Sequence, residues 1–265
     1  MVTRQQIENP VKNPRRGAYL LPNLITSAAL FSGFYAIISA INGNYQGSAV
    51  AIFVAAIFDG LDGRIARLTK TTSRFGIEYD SLSDLVAFGV APAVLGFVWG
   101  LREYGRLGWL AAFIYAATTA LRLARFNTLS FSGMGSKRYF VGLPCPSAAC
   151  TVASLVLLCQ YLGMAGPIRH VGVLAIVYIL SFLMVSNVRY YSFKEMRWFH
   201  RHPFSGIIVV LMAMTVVAIE PKVTLFAVMS VYVLSGPVLA PFKRFLRVGG
   251  VHGDDAEPLI AGERK

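Results

Sequence analysis

Acidic residues are scarce in this 265-residue chain: 13 Asp and Glu stand against 25 Lys and Arg, and charged residues of both signs make up only 14%. A soluble domain carries about a quarter charged residues, so the composition excludes a globule that covers its surface with polar groups. Cysteine is sparse too. Cys145, Cys150 and Cys159 are odd in number, share one apolar stretch and lack zinc-ligand spacing, which excludes a disulfide framework and a cysteine metal site. They read as unpaired and inert. His170, His200, His202 and His252 are scattered through loops and the tail without metal-ligand spacing. The net charge of +12 would fit nucleic acid in a soluble protein, but 55% hydrophobic residues exclude an ordinary soluble nucleic-acid binder. The partners left for that charge are an anionic membrane leaflet or an anionic lipid substrate.

What is abundant is apolar sequence, with a mean hydropathy of +0.58. Runs of about 20 residues, enough to cross a hydrocarbon core roughly 30 Å thick, fall near 20–41, 46–66, 82–101, 107–127, 144–163, 168–188, 204–220 and 222–241. The expected fold is therefore an all-α integral membrane protein of about eight transmembrane helices. The first run is too long for a signal-peptide core and no small-residue cleavage site follows it, so it counts as a span. With both termini in the cytoplasm, 21 of the 25 basic residues lie inside, leaving Arg102, Arg106, Arg169 and Lys222 outside. The positive-inside rule favours that orientation, and an odd number of spans would scramble it. A basic segment precedes the spans at 1–19, and the polar stretch at 248–265 reads as a disordered tail. No internal repeat or second domain is visible. Gly33, Gly43 and Gly47 are candidates for close helix packing.

Four of the scarce acids gather in one hairpin, AAIFDGLDGRIARLTKTTSRFGIEYDSLSDLVAFG. Asp59 and Asp62 are three apart at the end of the second run, and Asp80 and Asp84 are four apart at the opening of the third. Each spacing puts its pair on one helix face, and the turn from Thr69 to Phe75 lets the pairs face each other. A single charge at mid-membrane costs at least ~2.5–3.5 kcal/mol, so four carboxylates need neutralising. Two divalent cations close the balance, and an all-oxygen donor set favours hard ions such as Mg²⁺ or Mn²⁺. Gly63 removes a side chain where a phosphate approaches, and Arg67, one turn on, can pair with it. Together these residues read as a two-metal site for phosphoryl displacement at the cytoplasmic face. Juxtamembrane acids ordinarily cap helices or form solvated ion pairs, but four at this spacing, with Gly and Arg between them, argue otherwise. An ion-coupled transporter would scatter its acids near the midplane across paired halves, and a membrane scaffold gives no reason for four ordered carboxylates.

Written out, the hairpin is D-x2-D-G-x2-A-R-x8-G-x3-D-x3-D, filled by Asp59, Asp62, Gly63, Ala66, Arg67, Gly76, Asp80 and Asp84. It resembles the motif of the CDP-alcohol phosphatidyltransferases, and no position departs from it. The stretches LPNLITSAALFSGF (21–34), LRLARFN (121–127), GLPCPSAA (142–149) and LMVSNVRYYSFK (183–194) are similar to the serine-using branch of that family. The resemblance implies a six-helix core over 20–200, with an additional transmembrane hairpin at 201–247. It implies transfer of the phosphatidyl group of CDP-diacylglycerol to the hydroxyl of L-serine, releasing CMP. It also implies two Mg²⁺ or Mn²⁺ ions, held first by Asp59, Asp62 and Asp80 and second by Asp80 and Asp84, with Asp59 bridging. Gly63, Ala66 and Arg67 would line the CDP phosphates, and Asp84 would be the general base. A homodimer in a prokaryotic plasma membrane, with its site open to the cytoplasm, completes the expectation. The shared motif handles the CDP half alone, so glycerol 3-phosphate, inositol phosphate and choline stay open as acceptors.

Asn23 and Thr26 stand at the start of the first span, where they either cap the helix or contact the cytidine. Arg122 and Arg125, three apart at the inner end of the fourth span, and Arg189 and Lys194 after the sixth, either anchor the inner face or meet the acceptor. A guanidinium suits the serine carboxylate, which makes Arg189 the first acceptor candidate, with Lys194 and Arg122 next. Tyr190, Tyr191, Trp198 and Phe199 fit an interfacial aromatic belt.

Overall fold

The computed structural model describes residues 20–69, 73–131, 139–163, 171–191 and 220–249. Six helical rods precede residue 186 within that set: α1 (Leu20–Ile41), α2 (Tyr45–Leu68), α3 (Arg74–Tyr104), α4 (Arg106–Phe131), α5 (Cys145–Tyr161) and α6 (Val171–Val185). A seventh, α7 (Pro221–Gly249), follows. Leu20–Ile41, Arg74–Tyr104, Arg106–Thr128 and Pro221–Val238 are long and apolar enough to cross a membrane. α5 and α6 are apolar but shorter, at 17 and 15 residues. α2 is long enough at 24 residues, but Asp59, Asp62, Arg64 and Arg67 crowd its C-terminal half. The expected span at 204–220, the basic segment at 1–19 and the polar tail lie outside the described residues, except for Glu220 and for Val248 and Gly249, which end α7. So do all four histidines, Trp198 and Phe199.

The third rod begins at Arg74, at the end of the turn expected from Thr69 to Phe75 and ahead of the apolar run near 82–101, so Asp80 and Asp84 lie well inside a helix. The Ser73 side chain makes that possible by accepting the Gly76 amide at 3.0 Å, capping the helix about two turns before Asp80. The architecture is all-α, as expected, with one short strand pair beside the helices. β1 (Tyr139–Val141) and β2 (Arg189–Tyr191) form a short antiparallel pair, with Val141 opposite Arg189. Gly142 (φ 81°) turns directly after β1 and donates its amide to Val188 at 2.8 Å, which fastens the entry of α5 to the exit of α6.

Small residues set the packing of the first hairpin. Gly43 (φ 77°) makes the tight turn, Asn44 caps α2, and a seam of Ala, Ser and Gly lets α1 and α2 approach closely. Of the three glycines singled out in the sequence, Gly33 is the packing one: a Cβ there would stand 2.6 Å from Ala87 Cα on α3. Gly47 instead sits against the Asn44 cap. Ala87 lies in a π-helical turn, Leu85–Val90, that begins directly after Asp84. Such turns break the regular ladder and occur often at functional sites. The core holds Trp99, Tyr115, Phe88 and Tyr190, while large apolar side chains such as Phe31, Phe113 and Phe182 are exposed. Exposed apolar patches of this kind fit a lipid-facing surface.

Candidate active site

The site forms between the C-terminal half of α2 and the first turns of α3. These two rods do not lie flush; α3 packs mainly on α1, and the gap left beside α2 is the site. One carboxylate oxygen from each of Asp59, Asp62 and Asp80 lies within 4.8 Å of the others. Three ionised carboxylates at that range repel by roughly 3–4 kcal/mol per pair at an effective dielectric constant near 20, a repulsion that a divalent cation cancels. The donor set is all oxygen, drawn from two helices, and fits a hard cation. Asp84 is outside this tight trio. It lies one turn further along α3, lines the same cavity and is within electrostatic reach of the Arg122 guanidinium on α4.

Asp62 is the most enclosed of the four, at 4% exposure. Thr26 Oγ1 on α1 donates to its Oδ2 at 2.8 Å, and the same hydroxyl is 3.1 Å from the Pro22 carbonyl oxygen. The Thr26 backbone carbonyl in turn accepts from Ser83 Oγ on α3 at 3.1 Å. Ser27 and the Tyr79 hydroxyl add a second α1–α3 link at 2.8 Å. Both α1 residues expected near the nucleotide, Asn23 and Thr26, line a smaller cavity of about 150 Å³ with Ala66, Ser73 and Gly76, and Thr26 alone of the two hydrogen-bonds Asp62.

The larger cavity, about 850 Å³, is of the size that holds a nucleotide-sized ligand. The four aspartates, Gly63 and Arg67 line it from α2 and α3, and Phe126 and Asn127 line it from α4. A Cβ at Gly63 would meet nothing within 4 Å, so protein packing does not require this glycine. Arg64 faces the same cavity, as does Ser81, which accepts from Asn127 Nδ2 at 2.9 Å. Sequence reasoning passed over Arg64, Ser81 and Asn127. The signal for Asn127 was its place at the end of LRLARFN.

Arg122 and Arg125 part company despite sharing a helix face. Arg125 Nη2 donates to Asn187 Oδ1 at 3.0 Å, while Arg122 Nη1 donates to Cys145 Sγ at 3.3 Å. Cys145 is a free thiol, but it is more than inert filling, because it receives this bond. Arg122 Nε is buried and has no hydrogen-bond partner among the described residues. Arg189 is placed by its backbone in β2, and Lys194 lies outside the described residues.

The family model described as CDP-alcohol phosphatidyltransferase matches residues 19–184. The chain is 38% identical over 225 residues to a CDP-diacylglycerol–serine O-phosphatidyltransferase of Helicobacter pylori, covering 84% of this chain and 92% of that protein. A Mycobacterium leprae protein of the same name is 32% identical over 243 residues, covering 89% of this chain and 79% of the relative. An archaetidylserine synthase of Methanothermobacter thermautotrophicus is 33% identical over 172 residues, covering 64% and 69%.

Proposed function

The chain belongs to the CDP-alcohol phosphatidyltransferase family, and from that premise we propose that it transfers the phosphatidyl group of CDP-diacylglycerol to the hydroxyl of L-serine, giving phosphatidylserine and CMP. One observation carries the reaction type: three carboxylates from two helices converge within 4.8 Å on a cavity that also presents Gly63 and Arg67. Serine as acceptor is supported by relatives whose names differ in the lipid but share that amino acid.

Asp59, Asp62 and Asp80 would hold a first divalent cation, and Asp80 and Asp84 a second, with Asp59 bridging. Bound Mg²⁺ or Mn²⁺ supplies charge neutralisation for the diphosphate and for the departing CMP. Arg67 pairs with the diphosphate as a fork of donors, and the bare backbone at Gly63 leaves room for it. Asn23 and Ala66 border the smaller cavity beside this point, where the nucleotide end is accommodated. The Thr26 hydroxyl orients Asp62. Asp84 takes the proton from the serine hydroxyl as its oxygen bonds to the lipid-side phosphorus and the bond to CMP breaks. A base in that place contributes typically ~10²–10⁴-fold. Arg122 receives the serine carboxylate, with Arg189 and Lys194 as further acceptor contacts. A single in-line displacement balances these atoms without a covalent intermediate.

The same reading includes eight spans with both termini cytoplasmic, a catalytic core at 20–200, an added hairpin at 201–247, and a homodimer in a prokaryotic plasma membrane. The test is CMP release by purified protein given CDP-diacylglycerol and Mn²⁺ or Mg²⁺, with serine, glycerol 3-phosphate, inositol phosphate and choline offered separately. Serine is expected to be preferred, a chelator to abolish release, and Asp84→Asn to remove nearly all of it. Preference for another acceptor overturns the serine assignment, and CMP release without any acceptor overturns the single displacement.

A further inference from the structure

Glycine inside a helix weakens it relative to alanine, so an interior glycine needs a compensating reason. Elsewhere in this fold the reason is packing. An added Cβ would collide with Ala87 at Gly33 and with the Tyr190 ring at Gly236, and would press on Thr119 at Gly89. Gly60, well inside α2, has no such neighbour: a Cβ there would meet nothing within 4 Å. Position 60 is also one of the two unfixed places in D-x2-D-G, so the spacing of the aspartates does not call for glycine there.

The surroundings of Gly60 locate its role. Its neighbours on the helix surface are the residues three and four away: Ala56 and Ile57 before it, Gly63 and Arg64 after it. All four line the same cavity of about 850 Å³ as Gly60 itself. Gly60 and Gly63 together therefore leave about one turn of bare backbone facing that cavity. Toward the end of α2 the cavity wall is charged, with Arg64 and Arg67. Back along the helix the sequence is apolar, and Ile57 and Leu61 line the cavity while 62% and 41% exposed. Apolar exposure of this kind fits contact with lipid chains. Gly60 thus stands where the wall changes from charged to apolar.

A CDP-lipid has the same division along its length: a charged diphosphate, then glycerol, then hydrocarbon chains. We propose that Gly60 is a specificity-determining residue for the lipid half of the substrate. The glycerol end crosses α2 over its bare backbone, from the carboxylate trio to the apolar flank at Ile57 and Leu61. A side chain at position 60 obstructs the lipid without disturbing the protein. This inference rests on the CDP-lipid half of the reading above and does not depend on which acceptor is used.

The experiment compares wild type with Gly60→Ala and Gly60→Leu, as full-length protein in mixed micelles of detergent and lipid with Mn²⁺. For each protein the melting temperature, the KM for CDP-diacylglycerol, the KM for L-serine and inhibition by CMP, which lacks the lipid, are measured. Gly60→Ala is expected to melt at or above wild type. Its KM for CDP-diacylglycerol is expected to rise about tenfold, the low end of what one methylene discriminates in a pocket, and Gly60→Leu to raise it further. The serine KM and the inhibition constant of CMP stay close to wild type. An unchanged KM for CDP-diacylglycerol in Gly60→Leu, or CMP inhibition weakened as much as that KM rises, overturns the lipid crossing at Gly60. So does a lower melting temperature of Gly60→Ala, which would make this glycine a packing requirement. Those outcomes leave the transferase reading intact, whereas a wild type that releases no CMP from CDP-diacylglycerol with any acceptor overturns both.

Discussion

Replacing Thr26 with valine isolates one hydrogen bond at the centre of the site. The two side chains have the same shape, and the loss is the hydroxyl that donates to Asp62 Oδ2 at 2.8 Å. Thr26 and Asp62 are each only 4% exposed, so water does not readily replace the donor. A hydrogen bond to a charged group contributes about 1.5–3 kcal/mol, which at 1.4 kcal/mol per decade corresponds to roughly 10- to 140-fold. The hydroxyl divides its proton between Asp62 and the Pro22 carbonyl at 3.1 Å, which points to the lower end of that range. The backbone bond from Ser83 to the Thr26 carbonyl is untouched, so the α1–α3 contact persists. Partners behind a metal-binding carboxylate typically affect metal affinity by ~10- to 100-fold. The expected outcome for Thr26→Val is therefore about a tenfold rise in the Mn²⁺ concentration that half-activates CMP release, with most of kcat recovered at saturating metal. Thr26→Ser, which keeps the hydroxyl, is expected to stay close to wild type. A half-activating Mn²⁺ concentration within about twofold of wild type, in a Thr26→Val protein of normal thermal stability, would refute the argument that this hydroxyl orients Asp62.

Gly33→Ala places a carbon 2.6 Å from Ala87 Cα, where backbone has to move. Overpacking of this kind costs typically 1–3 kcal/mol, expected as a clearly lower melting temperature in detergent. Gly172→Ala on α6, where the added carbon meets nothing within 4 Å, is expected to match or exceed wild type. Equal melting of the two variants contradicts the close-packing argument. Ser73→Ala removes the cap that receives the Gly76 amide and is expected to cost about 1 kcal/mol. It should be visible as faster amide exchange over the first turn of α3, and Ser73→Asp restores protection. Unchanged exchange at Gly76 counts against the cap.

The helical spans were legible because each element declares itself locally. The first run, 20–41, coincides with α1, and those near 46–66 and 107–127 differ from α2 and α4 by only a few residues at their ends. The start of α3 was legible from the turn at Thr69 to Phe75 and not from the apolar run near 82–101, because hydropathy registers apolar length. Arg74 to Asp84 is polar, and its helix is set by the Ser73 cap. The pairing of Tyr139–Val141 with Arg189–Tyr191 had no local signal, since three-residue strands joined across about 50 positions carry too little periodicity to read.

The sequence alone determined the chemistry available at the site. A 3.6-residue repeat places Asp59 with Asp62, and Asp80 with Asp84, on single helix faces whatever the rest of the chain does. An excess of apolar residues likewise makes the helices candidates for a membrane. Only the tertiary structure decided how those pairs combine: a trio of Asp59, Asp62 and Asp80, with Asp84 set apart from it on the wall of the same cavity. It alone committed Thr26 to Asp62 and gave Arg122 a thiol partner in Cys145. The physical reason is range. Helical spacing is a local property of the backbone, whereas these contacts depend on small-residue seams and a π-helical turn that set how helices far apart in sequence lie against one another.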